Sequence, residues 1–221
     1  FVVCTSSIAV YGEGHTLVNE NENPNPIDPY GIAKYSVELD LKNAREMFGL
    51  NSIIFRPHNV YGERQNIGDK YRNVVGIFMN QLLKQEKLTL FGDGTQTRSF
   101  TYIDDVAPYI AKSVELKAAQ NQIFNIGSDD SCTLNQLASE VGIAMGMSTE
   151  RIYLDKRKEV DHAHADHTKF KQLFKKDQDV SLKLGLENMA SWVKKTGARQ
   201  SEKFDKLEIK KNMPLSWINS H

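Results

Sequence analysis

Short apolar runs suited to strands alternate with helix-periodic segments along most of this chain, and that alternation constrains the fold more than any other feature. Strands buried on both faces read as near-continuous apolar runs, and parallel neighbours need a crossover between them, most often a helix. The first run, Phe1-Val2-Val3-Cys4, has no initiator Met, cap or polar lead-in. It reads as a buried strand already under way, so the chain is expected to start mid-fold. A helix is expected to begin near Tyr30, with an apolar stripe of Val37, Leu41, Ala44 and Phe48 and a stop at Gly49. Further strands are expected at 51–56, 88–91, 98–102, 122–126 and 151–154. Helices are expected from about 73 to 85 and at 106–116, 134–145, 168–174 and 182–195. Gly92-Asp93-Gly94 marks a turn, and Asp104-Asp105 reads as the cap and first-turn acid of the helix after it. The mixed order predicts an α/β protein whose later part is a smaller α+β lobe.

Composition excludes more than it assigns. The 28 basic residues balance the 28 acidic ones, so no general attraction to nucleic acid or to an anionic membrane surface is expected. An anionic ligand must then be held by a few placed residues. Cys4 and Cys132 lie far apart, with no CxxC spacing, which argues against a disulfide framework and a zinc site and for a reducing cytoplasm. No apolar run reaches the roughly 18 residues of a membrane span, and no signal peptide or lipidation motif is visible. The run His162-Ala163-His164-Ala165-Asp166-His167 invites a metal reading. Alternation in a strand-like segment would scatter its imidazoles over both faces, so no metal is expected.

Tyr30 and Lys34 carry the most pointed chemistry. They are four apart at the start of the expected helix, which puts them on one face, one turn apart. A lysine on the inward edge of an apolar stripe is costly without partners, and this marks it as a candidate functional cation. An ammonium beside a phenol favours the phenolate, the form that acts as a general base. Ser7, at the end of the preceding strand, is placed to bond the same substrate hydroxyl.

Cys4-Thr5-Ser6-Ser7-Ile8-Ala9-Val10-Tyr11-Gly12, followed by Pro29-Tyr30-Gly31-Ile32-Ala33-Lys34, resembles the Ser-Tyr-Lys site of extended short-chain dehydrogenases, specifically the NAD-dependent epimerase/dehydratase family. Arg56-Pro57-His58-Asn59-Val60-Tyr61-Gly62, Phe91-Gly92-Asp93-Gly94 with Arg98, Tyr102-Ile103-Asp104-Asp105-Val106 and Phe124-Asn125-Ile126-Gly127 resemble further family motifs, in the same order. The resemblance implies that Tyr30 is the catalytic acid/base, that Lys34 binds the nicotinamide ribose and tunes Tyr30, and that Ser7 orients the sugar hydroxyl, all three against bound NAD. It implies that His58 contacts the nicotinamide, that Asn59 and Arg98 hold the diphosphate, and that Asn73 and Val74 open the helix over the nucleotide. Thr89 and Phe91 align with the strand beside the uracil. Arg157 and Glu159 resemble the Arg/acid pair at the nucleotide ribose, although the family's arginine more often stands three residues before the acid, where this chain has Lys156. Ala163 falls where a bulky side chain in some members closes the pocket around the sugar's C2 substituent.

The resemblance implies the later part of a Rossmann-type doubly wound parallel sheet plus a smaller substrate-binding lobe. Residues 1–72 are expected to belong to the Rossmann domain, with the strand near 122–126 returning to it, 73–197 mainly to the sugar-nucleotide lobe, and 198–221 to a charged tail. The implied activity is NAD-dependent epimerisation at C4 of a UDP-hexose, plain or N-acetylated, through a transient 4-keto sugar. A homodimer, paired through the helix that bears Tyr30, is the implied assembly. A 4,6-dehydratase would need an Asp-Glu pair where Ile8 and Ala9 stand. The alternatives left open are a decarboxylase or reductase of the same family, or a non-catalytic fragment that only binds a nucleotide sugar. The fragment reading arises because no glycine-rich phosphate turn precedes the site; Gly92-Asp93-Gly94 lacks the third glycine and the helix that such a turn needs. The amino-terminal half is therefore expected to be missing, with the parent protein as the enzyme and the chain alone inactive.

Overall fold

The computed structural model describes residues 1–13, 17–69, 72–156 and 162–200, the last without the side chains of 162 and 163. Strand β1 (Val2–Thr5) ends in a single 3-10 turn over Ile8–Tyr11, capped by Ser7. Helix α1 (Pro29–Phe48) starts where its local chemistry dictates: the Asp28 carboxylate accepts the Gly31 N–H at 2.6 Å, and Pro29 gives up an N–H that the first turn leaves unpaired. Gly49 closes it with φ +69°, a left-handed conformation that costs glycine little. Strand β2 (Ser52–Pro57) then lies parallel to β1, with Val2 opposite Ser52 and Thr5 opposite Phe55.

The next elements are β3 (Val60–Tyr61), α2 (Val74–Leu83), β4 (Leu88–Phe91), β5 (Thr97–Ser99), β6 (Thr101–Tyr102) and α3 (Ala107–Lys112). They are followed by β7 (Ile123–Ile126), β8 (Ser131–Thr133), α4 (Leu134–Met145), β9 (Arg151–Leu154), β10 (His162–Ala163), α5 (Thr168–Phe174) and α6 (Leu182–Thr196). Strand β7 returns to the first sheet and pairs with β2 in parallel, Ile54 opposite Ile123, giving the order β1-β2-β7. The central strand is buried along nearly its whole length, which is why it reads Ser-Ile-Ile-Phe-Arg-Pro without alternation. Among the described residues three further ladders are found: the three-stranded β10-β5-β8 and the two-stranded β3-β6 and β4-β9.

Among the described residues there are two large apolar cores and a small third one of Val10, Tyr11, Val18 and Ala165. Phe55, Phe124, Ile126 and Phe170 pack under the three-stranded sheet. The second core gathers Phe78, Met79, Leu88, Leu90, Val141, Leu186 and Met189 from α2, β4, α4 and α6. The chemistry lies at the rim of the first, where β1, β2 and β7 all present their carboxyl ends.

The structure corrects four local expectations. The stripe on α1 is not the buried one: Leu41 is covered, but Val37 is 45% and Phe48 77% exposed, and the face against the sheet runs through Gly31, Glu38 and Leu41. Apolar spacing marks a greasy face without saying that anything covers it. The expected strand 98–102 is two strands, broken at Phe100, because β5 and β6 join different ladders. The helix at 106–116 shrinks to α3 and a 3-10 turn. Asp105 does not cap it; its buried carboxylate pairs with Lys176 at 3.1 Å and accepts the Val180 N–H at 2.9 Å.

Candidate active site

Ser7, Tyr30 and Lys34 meet at the carboxyl end of β1. Gly31 is the reason they can: a Cβ there would meet the Ala9 carbonyl oxygen at 2.6 Å, so the first turn of α1 lies directly against the turn that Ser7 caps. Lys34 reaches back to donate to the Thr5 carbonyl at 2.8 Å, and its Nζ lies 5.8 Å from the Tyr30 ring centroid. The Ser7 hydroxyl accepts the Ala9 N–H at 3.2 Å, which leaves its own hydrogen free to be donated. Tyr30 itself is half exposed, with its phenol open to a ligand. This is a cation, a phenol and a hydroxyl on one rim, as the spacing of the motif predicts.

Behind the rim lies a polar cluster that sequence reasoning missed. Glu38 stands one helical turn after Lys34 and accepts from the Ser6 hydroxyl, so consecutive turns of α1 grip Thr5, the last residue of β1, and Ser6, which follows it. Arg56 forks onto the same carboxylate, Nε to Oε1 at 3.0 Å and Nη2 to Oε2 at 2.5 Å. Its Nη1 donates to the Tyr11 hydroxyl at 2.7 Å, which donates to Asn125 Oδ1 at 2.8 Å, and the Asn125 amide donates to the Val18 carbonyl at 3.1 Å. Burial disfavours the guanidinium charge, but the bonds to Glu38 outweigh it and hold the Arg56 pKa above its ordinary value. Burial also pushes Tyr11 up, against the pull of Arg56. The only signal in the sequence was an acid four residues after Lys34 on the same helix face.

The remaining candidates divide. Asn59, at φ +41° in the turn after β2, donates from Nδ2 to the Ser99 carbonyl at 2.9 Å and so ties the β1-β2-β7 sheet to β5. Next to Ser99, Arg98 is half-buried; its Nη1 donates to the Thr97 carbonyl, and its backbone pairs with Cys132 on one side and Ala163 on the other. Asn73 is exposed at φ +64° and Val74 opens α2, with no side-chain cap. Thr89 and Phe91 point away from the core on β4, whose Leu88 and Leu90 point into it; Thr89 also exchanges hydrogen bonds with the Gln81 amide. They lie on the β4-β9 ladder, apart from the one that carries Arg98. Arg157 and Glu159 fall outside the described residues, and Ala163 is placed by its backbone alone.

His58 is deeply buried and stacks on His167, ring centroids 4.9 Å apart. His58 Nε2 lies 2.7 Å from His167 Nε2, and His167 Nδ1 lies 2.7 Å from Asp129 Oδ1, while Lys171 holds the other carboxylate oxygen, Oδ2, at 2.6 Å. Burial, then the nearby His167 and His164, push the His58 pKa down to about 3; burial also lowers His167, against the pull of Asp129. An unfolded chain therefore binds protons that the folded one refuses, and stability rises with pH through the ordinary histidine range. Urea midpoints are expected to fall as pH drops below about 6.5, with the loss continuing toward the folded-state pKa of about 3. His58→Leu should flatten this slope. Equal slopes for wild type and variant would show that His58 titrates normally.

The model of the NAD dependent epimerase/dehydratase family matches residues 1–127. Among solved structures, the UDP-glucose 4-epimerase of Thermotoga maritima, determined with UDP-glucose, is 36% identical and superimposes with a TM-score of 0.80 over 89% of this chain and 63% of that one. The UDP-glucuronic acid 4-epimerase of Bacillus cereus, determined with UDP-glucuronic acid and NAD, is 32% identical with a TM-score of 0.81, over 88% of this chain and 61% of that one. A UDP-N-acetyl-alpha-D-glucosaminuronate decarboxylase of Bacillus cytotoxicus is 28% identical, over 86% of this chain and 63% of the relative. The α/β arrangement of parallel strands and helices is thus that of the Rossmann-type epimerase structures. The chain spans about three fifths of the length of the curated relatives it matches.

Proposed function

Because the chain belongs to the NAD-dependent epimerase/dehydratase family, we propose that the protein epimerises a UDP-hexose at C4. The observation that carries this reading is Lys34 Nζ, held by the Thr5 carbonyl at 2.8 Å and set 5.8 Å from the ring of a solvent-open Tyr30. Tyr30 takes the proton of the C4 hydroxyl and returns it after the sugar has turned. The Ser7 hydroxyl orients the sugar hydroxyl, and Lys34 sets a cation beside the phenol while holding the nicotinamide ribose. Bound NAD would supply the hydride acceptor at C4, and the donor on its return. The residues present suit such a cofactor: a cation beside the phenol, and a buried His58 nitrogen with no partner among the described residues.

On the sugar-nucleotide side, Asn59 and Arg98 hold the diphosphate, where a guanidinium can fork onto phosphate oxygens. Asn73 and Val74 cover the nucleotide, with Thr89 and Phe91 beside the uracil and Arg157 and Glu159 at its ribose. The test is to incubate the protein, carried at the full length of the relatives it matches, with NAD and UDP-glucose or UDP-N-acetylglucosamine and follow the anomeric proton signals. Appearance of the C4 epimer is expected. A UDP-sugar that binds yet returns unchanged, or that loses carbon dioxide when supplied as the uronate, overturns the epimerase reading.

Ala163 leaves room beside the C2 substituent, so N-acetylated UDP-hexoses should be accepted at least as well as plain ones. Ala163→Tyr is expected to lower kcat/KM for the N-acetyl substrate by roughly 10-fold or more, the scale on which a filled pocket discriminates. The plain sugar should be little affected. Equal exclusion of N-acetyl sugars by both forms would sink the assignment.

A further inference from the structure

The proton transfer at Tyr30 makes no use of the buried line Asp129, His167, His58. Counting donors places its hydrogens. A carboxylate only accepts, so at 2.7 Å from Asp129 the His167 Nδ1 carries the hydrogen and Nε2 is left as a lone pair. That lone pair, 2.7 Å from His58 Nε2, needs a donor, so His58 carries its hydrogen on Nε2. Burial keeps both rings in the neutral form that this arrangement requires. His58 Nδ1 is then an acceptor, and it is buried with no hydrogen-bond partner among the described residues. A buried acceptor left unmade costs about 1–3 kcal/mol, and such groups are characteristically kept for a role.

The position of His58 points to a ligand. His58 directly follows β2, and its ring packs on Gly127, which directly follows β7; a Cβ at Gly127 would run into the imidazole. Both residues therefore sit at the carboxyl ends of parallel strands, beside the strand end that leads to Ser7. Open α/β sheets bind their ligands in that crevice. Ser7 and Tyr30 already serve the sugar hydroxyl, which leaves the amide of the cofactor as the donor in want of an acceptor.

We propose that Asp129 and His167 are positioning residues that hold His58 as its Nε2–H tautomer, so that Nδ1 accepts a hydrogen bond from the carboxamide NH2 of bound nicotinamide. The ligand in this proposal rests on the cofactor reading above; the tautomer does not.

Long-range 1H–15N spectra of the purified chain read each histidine tautomer directly. His58 is expected as Nε2–H and His167 as Nδ1–H. His167→Gln, whose amide oxygen still accepts from His58, should keep the His58 tautomer. His167→Phe should release it to a mixture. Millimolar NAD should then shift the His58 Nδ1 resonance. The dinucleotide with 3-acetylpyridine in place of nicotinamide, whose methyl ketone has no N–H, should move the Ser7 and Tyr30 amides but not Nδ1. An Nδ1–H tautomer at His58 in the free wild-type chain overturns the proposal without any ligand. Movement of the Ser7 and Tyr30 amides by NAD with Nδ1 unmoved overturns it and leaves the cofactor reading standing. If NAD moves no amide, the cofactor reading fails and the carboxamide contact with it. A shift of Nδ1 by UDP-glucose and not by NAD also overturns the carboxamide assignment.

Discussion

Arg56→Met is expected to cost about 3–5 kcal/mol of folding stability, the penalty for stranding one partner of a buried ion pair. Arg56 and Glu38 are 2% and 4% exposed, so water cannot replace the guanidinium at the carboxylate. The Ser6 hydroxyl alone would remain on Glu38, and the Tyr11 hydroxyl would lose its donor. A domain of ordinary stability has about 5–15 kcal/mol in all, so the variant should unfold at a markedly lower urea concentration. Replacing both partners, Arg56→Met with Glu38→Leu, should restore much of the loss, because an apolar pair of similar size demands no charge compensation. Urea midpoints of the wild type, both single variants and the double variant form the cycle. An Arg56→Met chain within about 0.5 kcal/mol of wild type, the usual range for a surface change, would mean that the pair is solvated and holds nothing.

In protein that turns over a UDP-hexose, Tyr30→Phe should lower kcat by roughly 10²- to 10⁴-fold, the range general acid–base catalysis supplies. The substitution removes one oxygen from a ring that is half exposed and packs little, so folding should be unchanged within error. UDP-sugar affinity should also hold, since the diphosphate and uracil contacts proposed for Arg98, Asn59, Thr89 and Phe91 lie on other strands. Lys34→Ala should behave differently. It removes the ammonium at 5.8 Å from the ring and the bond to the Thr5 carbonyl, and so should impair both turnover and NAD retention. Steady-state kinetics beside UDP-sugar binding separate the two variants. Near wild-type turnover by the Tyr30→Phe protein would remove Tyr30 from the reaction.

Element boundaries were legible wherever a local rule sets them. Gly49 ends α1 at φ +69°, and Gly92 and Gly94 turn the chain at φ +73° and +76°. Each depends on neighbours within a few residues, so the sequence states it outright. The same holds for Tyr30 and Lys34, whose common face follows from helical spacing alone. Tertiary structure decided what those elements meet. Ile54 finds Ile123 across some seventy residues, Ser6 and Arg56 converge on Glu38, and His58 finds His167 from 109 residues away. No periodicity encodes such meetings, because a polar side chain carries its donors and acceptors but not the address of its partner. The apolar face of α1 makes the same point. Spacing showed that Val37 and Phe48 share it with Leu41, and only the packing of α1 on β1 and β2 chose the face with Glu38 for burial, since Lys34 and Glu38 had strand-end partners that the outer face lacked.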